Sequence, residues 1–450
     1  MRLILVFLIG FMLFFYLIEF FQRLANKFNG TKIHFSFRYS FIGLFLIITG
    51  IAISLINFSS LAGIYSLVSY FLIGSGIGFI IHHFLSKKFI FHSKIERDFI
   101  TKHETKFERL LEILPGAMTW IALTSPVWLS FTLPYAVAYL ILIADVYWLL
   151  NALKIGVLIL AGFGKMEEAK KKNWFSLLNQ HFPGQWEKYY HLILIPTYKE
   201  ALYILEPSFN AILNSKYPKD QIFLAVGFEE RDNQKKIEET LRYIKTIEKK
   251  LAGVFTTIHP YGLAGEVAGQ GSNKNWMIKN ILPELKKRGI KIEDVLVTTL
   301  DADFCIHPQF LSGALYKYLS EPIQSRDKRS YTGVFLYHNN YWQTPTPMRL
   351  MATGTSFWQL AEMVGSDKYV NYSSMSISLK ALLDIGLWLP DKVNDDSGFY
   401  WKAYFHFNGD YAVIPHFVIT KGLRAAASAV RDTGARGYAA RRNSVSLMTV

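Results

Sequence analysis

Residues 295–304 read Val-Leu-Val-Thr-Thr-Leu-Asp-Ala-Asp-Phe, a β-branched apolar run that stops at two carboxylates one residue apart, Asp301 and Asp303. An uncharged run of Val, Leu and Thr suits a strand covered on both faces, as in a sheet with helices on either side. In such sheets ligands bind beyond the carboxyl ends of the strands. Two carboxylates delivered there are hard oxygen donors, suited to a divalent cation carrying a diphosphate. Taken alone, the pair is more often an ordinary turn with a helix cap. The flanking sequence has to decide.

Working outward, the chain from His191 on alternates short apolar runs with amphipathic stretches, the texture of an α/β layer with a mostly parallel sheet. The pattern predicts strands at 191–196, 222–228, 254–259, 295–300 and 331–337, and helices at 201–214, 234–251, 275–287 and 308–319. In the second of these helices Ile237, Leu241, Ile244 and Leu251 recur at helical spacing, with Lys and Glu on the other face as a solvated surface.

Four further stretches carry possible chemistry. Pro196-Thr197-Tyr198-Lys199-Glu200 stands between the first strand and the first helix, where backbone N–H groups and the helix dipole can receive the base and phosphates of a nucleotide. Any strand-to-helix turn has the same outline. Glu229-Glu230-Arg231-Asp232 ends the second strand, and a carboxylate there can accept from a ribose or a uracil N–H; solvated loop charge is the alternative. Gly269-Gln270-Gly271-Ser272-Asn273-Lys274-Asn275 reads as a Gly-containing loop opening the next helix, suited to close backbone approach to a ligand, or as a plain N-cap by Ser272 or Asn273. Asn394-Asp395-Asp396-Ser397 offers paired carboxylates that can supply a general base for an acceptor hydroxyl, or simply an Asp-rich helix N-terminus.

The order of these stretches resembles the family-2 glycosyltransferases with the GT-A fold, over about residues 192–415. YSSMSISLKALLDIGLWLPDKVNDDSGFYWK is similar to the acceptor-side segment of their membrane-bound branch. The resemblance implies a Rossmann-like nucleotide-binding half and inverting transfer of a sugar from a nucleoside diphosphate sugar, UDP-sugars favoured, to a lipid-linked or polysaccharide acceptor. By the family's pattern Pro196, Thr197 and Glu200 touch the nucleotide, Glu229 or Glu230 lies near it, and Asn273 and Asp301 belong to the nucleotide-sugar site. Asp301 and Asp303 would hold Mg2+ or Mn2+ and the diphosphate, and Asp396, next to Asp395, would be the base. Two features depart from the pattern. Gln270 stands where the family's loop often carries Lys, and the Gln-x-x-Arg-Trp motif and further spans that usually follow do not occur. After about Thr420 the chain reads GLRAAASAVRDTGARGYAARRNSVSLMTV, a texture expected of a truncated or out-of-frame end, or of a disordered basic tail.

Composition adds a membrane. The 450 residues are 51% hydrophobic and carry a net charge of +14; the mean hydropathy of +0.18 is too apolar for an ordinary soluble enzyme. Basic residues cluster beside apolar segments and form no nucleic-acid reader motif, so no nucleic-acid partner is expected. The one cysteine, Cys305, cannot form an internal disulfide. Apolar runs at 3–21, 41–58, 61–85, 115–131 and 135–161 predict five spans. With five spans every Lys/Arg-rich loop falls on one side, which puts residues 165–450 in the cytoplasm of a prokaryotic cell, beneath the plasma membrane and its lipids. Asp145, inside the fifth run, is a functional candidate at membrane depth or an interhelical hydrogen-bonding group; His82 and His83 read as interfacial. The expected organisation is a membrane region at 1–164, a juxtamembrane linker at 165–190, the GT-A domain at 191–418 and an atypical tail at 419–450. Two rival readings are a sugar-nucleotide-binding membrane scaffold without turnover, favoured by Gln270, and a metal-dependent nucleotidyltransferase.

Overall fold

The computed structural model describes residues 104–337, 341–365, 369–371 and 373–422. The apolar runs at 3–21, 41–58 and 61–85, with His82 and His83, lie outside the described residues, as does the chain after Gly422. Two compact units divide the chain, Met1–Gly156 and Val157–Val450.

In the first unit helix α1 spans Glu104–Leu129, and α2, Pro134–Lys171, begins there and ends in the second. Among the described residues α2 alone is long and apolar enough to cross a membrane. Leu140, Ile141, Trp148, Leu149 and Leu153 along it are exposed. The span expected at 115–131 is different in kind: α1 starts in charged turns with Glu104, Glu108, Arg109 and Glu112, and contains Pro115 and Pro126. The span expected at 135–161 continues to Lys171 and, with α3 at Trp174–His181, takes up much of the expected linker. Asp145 is exposed on α2.

The second unit is built on one sheet. Its strands are β1 (Tyr190–Pro196), β2 (Ile222–Glu229), β3 (Gly253–His259), β4 (Val295–Thr299), β5 (Cys305–Ile306), β6 (Arg329–Tyr337), β7 (Met375–Ser378) and β8 (Ala412–Gly422), in the order β3-β2-β1-β4-β7-β6-β8-β5. The helices between them are α4 (Leu202–Leu213), α5 (Gln234–Ile247), α6 (Gln270–Lys287), α7 (Phe310–Ser320), α8 (Ile323–Arg326), α9 (Thr346–Gly365), α10 (Leu379–Ile385) and α11 (Asp395–His406).

β2 and β4 are buried at every position, which explains their unbroken apolar sequence: both faces are covered. Met277, Ile278, Ile281 and Leu285 of α6 supply part of that cover. The helix lies so close to β2 that a Cβ on Gly227 would collide with Asn273 and Met277. α5 buries Ile237, Thr240, Ile244 and Ile247 at helical spacing. It stops at Ile247, short of the expected 251, because Glu248–Lys250 tighten into a 3₁₀ turn that sets Leu251 against the sheet edge.

The expectation of a mostly parallel sheet holds for half of it. β3, β2, β1 and β4 are parallel, whereas β7 runs antiparallel to both β4 and β6, and β5 antiparallel to β8. β6 and β8 pair in parallel, with a register shift between Thr332 and Val334. β7 has four residues and β5 has two, too short to show a period in sequence. β8 extends into the expected tail, to Gly422.

Candidate active site

From β1 the chain lays β2 and β3 to one side and then returns to place β4 on the other. At such a reversal a crevice opens beyond the carboxyl ends of the two central strands. Pro196 and Thr197 end one of them and Asp301 follows the other. Leu300 N–H donates to Leu194 O at 2.9 Å, and Phe304 N–H donates to Asp301 O at 3.0 Å, closing the turn that holds Asp301 and Asp303. Both carboxylates are half-buried. Asp301 Oδ2 also accepts from Ser373 Oγ at 3.1 Å, just before β7.

On the β1–β2 side the turn is built partly from its own candidates. Thr197 Oγ1 donates to Glu200 Oε2 at 3.1 Å and Tyr198 N–H to the same oxygen at 2.6 Å, so Glu200 orders the turn. Lys199 takes a left-handed φ of 70°, and its N–H donates to Asp232 Oδ2 at 2.7 Å. Glu229 is buried, whereas Glu230 is exposed with its Oε2 accepting from Tyr261 N–H at 2.9 Å. Glu229 Oε1 accepts from Asn273 Nδ2 at 3.0 Å, and Glu229 Oε2 lies 3.5 Å from both His259 Nδ1 and Arg231 Nε. Burial pushes the Glu229 carboxyl up, with His259, Arg231 and Asn273 pulling the other way. The Arg231 guanidinium lies 4.2 Å from the centre of the Tyr198 ring and 5.6 Å from that of Tyr261, a stacked cover along the strand ends.

The stretch 269–275 is not the expected loop. It forms the first two turns of α6, capped by Gly269 and not by Ser272 or Asn273. Ser272, Asn273, Lys274 and Asn275 are all buried and reach to different neighbours. Asn273 Nδ2 bonds Gly227 O at 3.1 Å as well as Glu229; Ser272 Oγ donates to Val267 O at 2.8 Å and Pro390 O at 3.0 Å; Asn275 exchanges two 3.0 Å bonds with the Trp388 backbone. The polar run that reads as a loop is a helix end whose side chains join the β2 terminus to the chain entering α11.

Lys274 completes the junction. Its Nζ stands 2.7 Å from Asp395 Oδ2 and 3.3 Å from Asp396 Oδ1. Asp395 and Asp396 form the first turn of α11, where the helix dipole favours negative charge. Burial, with the like charges of Asp395 and Asp301 and against the pull of Lys274, pushes the Asp396 carboxyl up to about 7. Burial alone would lower Lys274, but the Asp395 and Asp396 carboxylates hold it above the usual lysine range, and Asp301 adds to them. Asp301, Asp395, Asp396 and Lys274 thus form one electrostatic cluster at the carboxyl end of β4.

Among the described residues no three or more His, Cys, Asp or Glu side chains form a metal cage. Asp301 and Asp303 offer two half-buried carboxylates one residue apart, a hard-oxygen donor set of the kind used by a cation that keeps waters and draws further ligands from a phosphate. Of the expected site residues, Asp301, Asp395 and Asp396 come together around Lys274, as do Glu229 and Asn273, the residue before it on α6; Glu200 and Glu230 serve local turns. Sequence reasoning gave no role of their own to Lys274 and Asp232, although both lie in its candidate stretches, and none to Ser373. The available signal for Lys274 was a four-residue polar run flanked by Gly271 and Trp276, which has no apolar period to mark it as helix.

No protein-family profile and no curated protein matches the chain. Among solved structures, the neighbours are glycosyltransferases. The mannosyltransferase PcManGT from Pyrobaculum calidifontis, in complex with GDP-Man and Mn2+, is 17% identical with a TM-score of 0.36, over 62% of this chain and 75% of that one. TarS 1-349 from S. aureus, in complex with UDP-GlcNAc, is 15% identical with a TM-score of 0.34, over 52% of this chain and 58% of that one. Likeness at this level assigns no activity.

Proposed function

We propose that this chain is a membrane-anchored, inverting glycosyltransferase that moves a sugar from a nucleoside diphosphate sugar to a lipid-linked or glycan acceptor at the cytoplasmic face. The observation that supports the reading is the meeting of the acidic pair of α11 with Lys274 and Asp301: residues from three separate elements form one charged cluster near the carboxyl end of β4. That cluster has the two features a displacement at an anomeric carbon requires. Asp396, its carboxyl raised toward neutrality, takes the proton from the acceptor hydroxyl as that oxygen bonds the anomeric carbon. The bond from that carbon to the diphosphate oxygen breaks on the opposite face, which inverts the centre. A divalent cation bound by Asp303 and Asp301, Mg2+ or Mn2+, would supply charge neutralisation for the departing diphosphate.

The nucleoside lies, in this reading, along the ends of β1 and β2, between Thr197 and the buried Glu229, under the Tyr198–Arg231 cover. UDP-sugars are the favoured donors, because one carboxylate suits the single imide N–H of uracil. The apolar surface of α2 supports the anchoring, and four further spans with it belong to the same proposal.

Incubating the purified protein with a panel of nucleoside diphosphate sugars, with and without Mn2+, tests the reading. Release of the diphosphate with one or a few donors is expected, and Asp303→Ala should abolish its cation-dependent part. Tight binding without release would favour a scaffold, use of triphosphates a nucleotidyltransferase, and wild-type turnover by Asp303→Ala would remove the metal assignment.

A further inference from the structure

Lys274 takes no part in the displacement above, yet it is the most enclosed cation of the site, its side chain 4% exposed. Its Nζ bridges Asp395 at 2.7 Å and Asp396 at 3.3 Å and lies 5.4 Å from the centre of the buried Trp388 ring. Neutral contacts hold the chain on the way to this point. Asn275 pairs with the Trp388 backbone, and Ser272 Oγ and Val267 N–H reach Pro390 O at 3.0 and 2.8 Å. A Cβ on Gly271 would stand 3.0 Å from Asp395 Cβ and 3.2 Å from Leu389 O, so α6 and the start of α11 are in close contact. These contacts fix the backbone up to Pro390 and leave the carboxylates themselves to Lys274.

An ordinary structural lysine pairs with one acid. Two adjacent carboxylates withdrawn from water repel each other, and without a cation between them they swing apart or take up protons. Lys274 is placed where that repulsion is greatest. It comes from α6, the helix that also carries Asn273 to Glu229, so the acidic pair is registered against the same element that braces the end of β2.

We propose that Lys274 is a positioning residue, an internal cation that pins the Asp395–Asp396 pair beside Asp301 and keeps Asp396 aimed at the acceptor hydroxyl. The proposal rests on Asp396 being the base. It assigns to Lys274 a task on the acceptor side, distinct from the phosphate-side charge that Gln270 does not supply.

The test compares wild type, Lys274→Met, which keeps the length of the side chain without its charge, and Lys274→Arg, which restores the charge. Two measurements run on each full-length protein in detergent. Amide exchange is followed at residues 395–399 and at β1 and β4; in Lys274→Met the first set should exchange at least about tenfold faster with the strands unchanged, and Lys274→Arg should recover most of the protection. Turnover is followed with the donor found in the sugar-nucleotide panel. Lys274→Met should lose about a hundredfold in kcat, the scale of a misplaced reacting group, with the donor KM unchanged, and Lys274→Arg should be partly rescued. Unchanged exchange at 395–399 overturns the proposal, and so does a rise in donor KM that matches the loss in kcat/KM, since that would make Lys274 a phosphate-binding cation. A wild-type protein inert toward every donor refutes the transferase reading by itself, while the exchange measurement still decides whether Lys274 holds the pair.

Discussion

The two halves of the sheet differ in how they are made. β3, β2, β1 and β4 are parallel strands, joined in chain order by one helix each, and β1, β2 and β4 deliver candidate residues at their carboxyl ends. β7, β6, β8 and β5 are mixed in direction and drawn from distant parts of the chain, and besides the helices α7 and α9 packed on them they include a close backbone approach. Gly333 shows this best. A Cβ there would collide with Val418 O and stand 2.7 Å from Phe310 and 3.0 Å from His416, at the register shift between β6 and β8, where Phe417 is forced to a φ of 58°. The parallel half thus presents chemistry on a regular frame, whereas the mixed half closes the domain and brings the acidic pair back to that frame.

If this division is right, function and stability should come apart on substitution. The largest effect belongs to the point where the halves meet: Asp396→Asn should lower kcat by about 10²–10⁴-fold, the usual contribution of a positioned base, with little change in thermal midpoint. As the proposed base, the same residue should set the pH dependence. Its carboxyl, held at about 7 by burial and by the neighbouring acids, works only when deprotonated, so kcat/KM should rise as pH increases through neutrality and then level off. A profile level on both sides of neutrality would remove Asp396 from the role.

Next comes the mixed half alone. Gly333→Ala should cost about 3 kcal/mol of stability in denaturant unfolding, because backbone and not a flexible side chain has to give way. A near-neutral result would mean that the bulge relaxes freely and that the close approach is not what holds β6 to β8.

Asn275→Ala should follow at about 1–3 kcal/mol, since it strips partners from both the N–H and the carbonyl of buried Trp388 and loosens one half from the other. Amide exchange near Trp388 and Pro390 should rise while that of β1 stays put. The smallest effect is expected for Lys328→Gln. Lys328 pairs with Asp410 at 3.0 Å on the surface, with side chains 37% and 47% exposed, so its loss should stay within about 1 kcal/mol.

The parallel half was legible because its signals are local. Unbroken Val/Leu/Ile runs mark strands covered on both faces, and the predicted 191–196, 222–228 and 254–259 fall within a residue of β1, β2 and β3. The carboxylates Asp301 and Asp303 were legible for the same reason, as the acidic end of an uncharged Val/Leu/Thr run. The mixed half was not. Its strands β5 and β7 are too short for a period, and β8 carries Pro415 and His416 through a bulge that breaks the alternation. The stretch 269–275 misled because Gly, Ser and Asn favour turns and caps in isolation, whereas here they are the small polar side chains that fit between a helix and two backbones.

By itself, then, the sequence determined the alternation of strands and helices, the acidic ends of β2 and β4, and an apolar run at 135–161 long enough to cross lipid, because hydrophobic period and charge contrast act over a few residues at a time. Only the tertiary structure decided that Lys274 stands between Asp395 and Asp396, that Glu229 and not Glu230 is enclosed, and that Asp396 feels Asp301. Those facts depend on desolvation and on charges brought together from distant parts of the chain, 121 residues apart for Lys274 and Asp395, and neither has any trace in local composition.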